Sequence, residues 1–184
     1  MRSTALLLLL AWCTWTKGQA DTSTAGGGLV ISETVALSLS KGRIHEAAKK
    51  HWPFTFGQEP GARLEHADAS TGMIEGTARL NYRSSIITAR EETLGVISYR
   101  ISIQSNNGQC TVQVSNFRHT GNSGAVGQGI DLGRIYKDQR PSVRVRGIGM
   151  SVAQRIHADM QQQCRDRVGQ VVRAFAARLR QEQP

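Results

Sequence analysis

The sequence predicts an α+β domain of two layers: an antiparallel five-stranded sheet with two helices on one face, in the order β-α-β-β-β-β-α. Three observations predict it. The segments 73–82, 96–104 and 109–117 alternate apolar and polar residues with a period of two, which gives each strand one dry face and one wet face. The segments 41–52 and 151–180 carry apolar residues at helical spacing instead. The dry face of the sheet needs a cover, and these helices are the available one.

The first strand is expected within 29–40, with Val35, Leu37 and Leu39 inward. Ser40 suits an N-cap for a helix starting at Lys41, where Ile44, Ala47, Ala48 and Trp52 form one stripe. Pro53 ends that helix, because the residue before a proline leaves the α region. A Glu59-Pro60-Gly61 turn leads to a short strand around Leu64 and His66. In the next strand Ile74, Gly76, Ala78, Leu80 and Tyr82 face inward. Ile97, Tyr99, Ile101 and Ile103 follow, then Cys110, Val112 and Val114. Asn106-Asn107-Gly108 joins the last two strands, since Asn and Gly tolerate the positive φ of tight hairpins. The connection 83–95 carries Glu91 and Glu92. Val143-Arg144-Val145-Arg146 reads as an edge strand. The last helix has Val152, Ile156, Met160, Cys164, Val168, Val171 and Phe175 as its stripe, with Gly169 as a kink or the end of its packed part.

The predicted organisation is a signal peptide over 1–20, a leader over 21–28, the sheet and first helix over 29–118, a Gly-rich and basic connection over 119–149, and a C-terminal helix of the same domain over 150–184. Arg2, the apolar run from Ala5 to Trp12 and Gly18-Gln19-Ala20 carry the signal-peptide reading, with an exported product, periplasmic or secreted. A lipidated Cys13 is the alternative, and bulky Trp12 just before it argues against that. No segment is long and apolar enough for a transmembrane helix. Export removes Cys13 and leaves Cys110 and Cys164, each on a core-facing position. One disulfide between them is expected, with two buried free thiols as the other reading.

Charge is distributed unevenly. Residues 21–133 hold 10 basic and 10 acidic residues, while 134–184 hold 11 basic and 4 acidic. On the last helix Arg155, Arg173 and Arg180 lie opposite the stripe, as candidate contacts to an anionic surface; Arg167 and Arg178 fall nearer the stripe.

The run Leu37 to Trp52, the strand Ile74-Glu75-Gly76-Thr77 and the hairpin 96–117 closing on Ser115-Asn116-Phe117 resemble a family of exported bacterial domains of unknown function. The family is common in Bacteroidetes and is assigned a TATA-binding-protein-like (TBP-like) fold. The resemblance covers residues 34–118 and implies that fold; it brings no activity, ligand or catalytic residues with it.

The remaining motifs point away from catalysis. There is no G-x-S-x-G and no H-E-x-x-H, and no Lys-Ser/Thr follows the glycines of 124–129. No catalytic residue, metal ligand or cofactor is assigned. Nucleic acid is not expected as a partner either: the outer sheet face is polar, with Phe117 the single candidate wedge. The expected function is a non-catalytic binding or interaction module of the cell envelope, with a protein or an anionic envelope polymer as partner. The alternatives are a hydrolase using Tyr82, the 83–95 loop and His66, and a structural subunit of an envelope assembly.

Overall fold

A computed structural model describes residues 27–86, 93–124 and 127–183. The signal peptide, Cys13, most of the leader, and Glu91 and Glu92 lie outside the described residues. The elements are β1 (Ile31–Ala36), α1 (Lys41–His51), two single 3₁₀ turns (Trp52–Phe54 and Phe56–Gln58), β2 (Arg63–Asp68), β3 (Met73–Tyr82), β4 (Gly95–Asn106), β5 (Gln109–Gly121), a two-residue pair β6 (Ser123–Gly124) and β7 (Gly127–Gln128), β8 (Gly133–Arg134) and α2 (Met150–Arg180). The sheet has the order β1-β5-β4-β3-β2, antiparallel throughout, and β8 pairs with β5 just beyond the residues that β1 occupies. The five long strands are the expected ones; β8 is an addition.

The predicted faces hold. The inward residues of β3, β4 and β5 form one buried cluster with Ile44, Ala48 and Trp52 of α1 and with Ile156, Met160, Cys164, Val168 and Phe175 of α2. The outer face is polar and cross-linked by its own side chains. Arg100 pairs with Glu75 at 2.9 Å, Thr77 donates to Glu65 at 3.0 Å, and Thr34 and Thr111 hydroxyls meet at 3.2 Å.

Two local devices lock α1 and the hairpin together. Ser40 stands at the N-cap, but its side chain makes no capping bond. Asn107 of the β4–β5 turn accepts the Lys41 N–H instead, at 2.8 Å, so one turn closes the hairpin and caps the helix. Gly108, at φ +79°, accepts from Leu37 N–H and donates to Leu39 C=O. These bonds hold Leu37 and Leu39 against the sheet beyond the end of β1.

Asn116 has φ +57° and sits where the β4–β5 register shifts between Ser98 and Arg100. The bulge reverses the alternation, so Phe117 and His119 point inward. Phe117 is therefore no wedge on the outer face: it is buried against Tyr99, ring centroids 5.5 Å apart.

Three further expectations are corrected. Residues 143–146 form no strand; Val145 is buried and Val143 exposed. Gly169 is buried inside an unbroken helix, and burial on α2 continues to Leu179. Straight 3.6-residue geometry turns a stripe of fours gradually round the helix, so Val172 replaces Val171 as the buried residue.

The expected Cys110–Cys164 disulfide is absent; both are buried free thiols. Cys110 pairs with Ser105 and Val35 at the hairpin end of the sheet. Cys164 sits where its charge would act on the Tyr82 and Tyr99 hydroxyls, toward the other end. Tyr99 and Ser105 are six residues apart on β4, about 20 Å at the strand rise, whereas a disulfide needs Cα atoms within about 7 Å. Burial pushes the Cys110 thiol up to about 11 and Cys164 to about 12. Both should resist a thiol reagent in the native protein and react on unfolding, and reductant should leave the melting curve unchanged. Mass spectrometry after labelling reads this directly; a reductant-dependent drop in stability would contradict it.

Candidate functional site

Among the described residues chemistry-bearing side chains gather in two places, one beside the end of β3 and one before and at the start of α2. The first lies at the end of β3. Asp159 accepts from Tyr82 Oη at 2.7 Å, from Ser85 Oγ at 2.6 Å, from Ser85 N–H at 3.2 Å and from Gln163 Nε2 at 3.1 Å. Burial raises the pKa of Asp159, but the donors from Ser85, Tyr82 and Gln163 outweigh it and hold the carboxyl below its ordinary value. Burial pushes the Tyr82 hydroxyl well above its ordinary value. At neutral pH Asp159 is thus a saturated acceptor and Tyr82 keeps its proton. His119 meets the Tyr82 ring edge-on at 5.3 Å, yet its nitrogens are engaged by Thr93 C=O and Leu132 N–H.

Beside this cluster is a pocket of about 320 Å³ lined by Glu59, Pro60, Leu80, Asn81, Gln163 and Arg167. Glu59 is buried and accepts from Arg167 Nη2 at 3.1 Å and Nε at 3.4 Å. Arg167, which sequence placed awkwardly near the apolar stripe, is there to answer a buried carboxylate on the 3₁₀ turn. Of the hydrolase alternative, residues 87–92 of the 83–95 loop lie outside the described residues, and His66 and Tyr82 are not brought together. His66 stands opposite Glu75, seven residues from Tyr82 along β3, or about 23 Å. The contacts of this flank pin α2 and the 83–86 segment to β3. Among the described residues no group of three or more His, Cys, Asp or Glu is placed to hold a metal.

The second gathering is the basic one, for which the sequence offered Arg155, Arg173 and Arg180. Arg180 is engaged with Glu33 at 2.8 Å, so it is an inter-element tie between α2 and β1. Arg178 lies over the Phe54 ring at 5.8 Å. Glu182 answers Lys50 at 2.7 Å and His51 at 2.8 Å. Arg155 and Arg173 are exposed and on one line of the helix, but five turns apart, about 27 Å, with Asp166 near that line between them. The three arginines therefore do not form one patch.

The concentration of unanswered charge lies before and at the start of α2. Residues 134–155 hold Arg134, Lys137, Arg140, Arg144, Arg146 and Arg155 against one acid, Asp138. Among the described residues none of these six cations has an ion-pair partner. Five are exposed; Arg140 is half-buried, held by Gln154 Oε1 on its N–H and by Val143 C=O on its guanidinium. Helix electrostatics do not account for this placement. Cations favour a helix C-terminus, while the first turn of α2 carries no acid at all.

Residues 32–120 match the family described as a domain of unknown function (DUF4468) with TBP-like fold. These residues form a DUF4468 domain. The matched span holds β1 to β5 and α1, and α2 lies beyond it. The fold is similar to that of a TBP-like protein from Parabacteroides distasonis, with a TM-score of 0.56 and 12% identity over 83% of this chain and 96% of that one. It is similar also to a DUF4468 family protein from Bacteroides ovatus, with a TM-score of 0.52 and 15% identity over 83% of this chain and 89% of that one. No curated protein matches the chain. The motif positions of the DUF4468 domain are architectural: Trp52 packs on Gly76, and Asn116 makes the bulge that buries Phe117.

Proposed function

We propose that this chain is an exported, non-catalytic binding module of the cell envelope, and that its contact with an anionic partner is the basic surface of residues 134–155. The observation that carries this reading is the division of the cations. On the C-terminal half of α2, Arg167 and Arg180 are ion-paired with Glu59 and Glu33. Those of 134–155 carry net +5 with no ion-pair partner among the described residues. Exposed like charges repel, so such a cluster costs stability unless an opposite charge meets it. Export rests on the sequence of residues 1–20. The Asp159 cluster favours no catalytic reading, because its carboxylate is saturated by donors.

Retention on an immobilised soluble polyanion such as heparin tests the surface. Replacing Arg144, Arg146 and Arg155 together by Glu should lower the salt needed for elution sharply, whereas Arg173→Glu should change it little. Unchanged elution of the triple variant would overturn the reading.

A further inference from the structure

We propose that the anionic partner is a lipid bilayer with negatively charged headgroups, met peripherally by the segment 143–150; this inference rests on the reading of the basic surface given above. The segment combines two features that a soluble polyanion would not need together. Val143 is 63% exposed and Met150 53% exposed. They flank Arg144 and Arg146 within eight residues of chain. Arg144, Val145, Gly147, Ile148, Gly149 and Met150 also line a pocket of about 420 Å³, with Arg144 its one charged side chain.

An interfacial binder places apolar side chains at the headgroup boundary and cations against the phosphates, so both features are used at once. A soluble acidic polymer would engage Arg144 and Arg146 and leave Val143 and Met150 in water. Charge complementarity therefore selects an anionic surface, and the exposed apolar pair selects one with a hydrocarbon interior. Attachment of this kind is peripheral: among the described residues no helix is long and apolar enough to cross a membrane.

Co-sedimentation of the protein with vesicles of phosphatidylcholine plus phosphatidylglycerol, against phosphatidylcholine alone, tests the proposal. The mixed vesicles should bind and the neutral ones should not. Val143→Ser with Met150→Gln keeps the net charge. It should weaken vesicle binding at least about tenfold while heparin retention stays as in wild type. Arg144→Gln with Arg146→Gln should weaken vesicle binding about 30-fold and lower heparin retention too. Both apolar positions are exposed, and an unchanged melting curve for the first variant confirms that it folds. Heparin retention without any vesicle binding overturns the bilayer and leaves the anionic surface standing. The same follows if the apolar variant binds vesicles as wild type does. Loss of both in the wild-type protein overturns the two together.

Discussion

Gly76→Ala is expected to destabilise the protein by about 3 kcal/mol. A methyl group at that position would stand 2.5 Å from Arg63 C=O and 2.7 Å from Trp52 Cζ2, and closer still to Trp52 Cη2. The first obstacle is backbone of the paired strand β2, which cannot retreat without breaking the ladder. The second is a buried ring that cannot retreat either. Trp52 stacks on Phe56, and Phe56 on Phe175 of α2, each pair at 5.3 Å. Pushing Trp52 therefore disturbs the contact between both helices and the sheet. A loss of that size corresponds to a melting-temperature drop of about 6 to 12 °C for a chain of this length. Gly42→Ala is the internal control: the added methyl in α1 meets nothing within 4 Å, so it should stabilise by about 1 kcal/mol through helix propensity. If Gly76→Ala melts with the wild type, the close seating of Trp52 is wrong.

Acid is expected to destabilise the fold as the pH drops from 6.5 towards 4, ahead of most carboxylate titration. Burial lowers the pKa of His119, against opposing effects from its Thr93 bond and Asp131. Burial lowers His157 to about 4, and Arg140 adds to that shift. Both histidines are neutral in the fold because each accepts a backbone N–H: Leu132 gives one to His119 Nδ1 at 3.3 Å, and Tyr136 gives one to His157 Nε2 at 3.0 Å. A protonated ring cannot accept. In this window the unfolded chain binds more protons than the folded one, so stability is complete above pH 6.5 and is lost on acidification. Each histidine contributes a slope of up to about 1.4 kcal/mol per pH unit. Urea unfolding at a series of pH values measures it, and His157→Gln should flatten the profile. A flat profile between 6.5 and 4 in the wild type would contradict the account.

Period-two alternation was sufficient to read β3, β4 and most of β5, because it reports which face each side chain takes. It was equally sufficient for α1, whose stripe of Ile44, Ala47, Ala48 and Trp52 is buried throughout. What alternation cannot carry is a single left-handed residue. Asn116 reverses the pattern by one position, and that one position decides whether Phe117 is a wedge or core. Nor does a stripe report position along the axis. Cys110 and Cys164 both belong to the core, yet a bridge depends on how far α2 slides along the sheet, which the contacts of Arg167, Arg180 and Glu182 determine. Those same contacts explain the changed candidate surface. The C-terminal charge surplus was legible as a sum. Its division into engaged and unanswered cations depends on acids more than a hundred residues away, Glu33 and Glu59. The alternating Val143 to Arg146 run misled because alternation does not report whether a partner strand exists, and among the described residues this run pairs with none.

Mapping amide chemical-shift changes on titration with a soluble anionic ligand, such as a heparin oligosaccharide, tests the location of the binding surface most directly. The account predicts changes confined to residues 134–155, suppressed by salt. Changes centred on the outer face of β3 and β4, or on the cleft of Glu59 and Arg167, would contradict it.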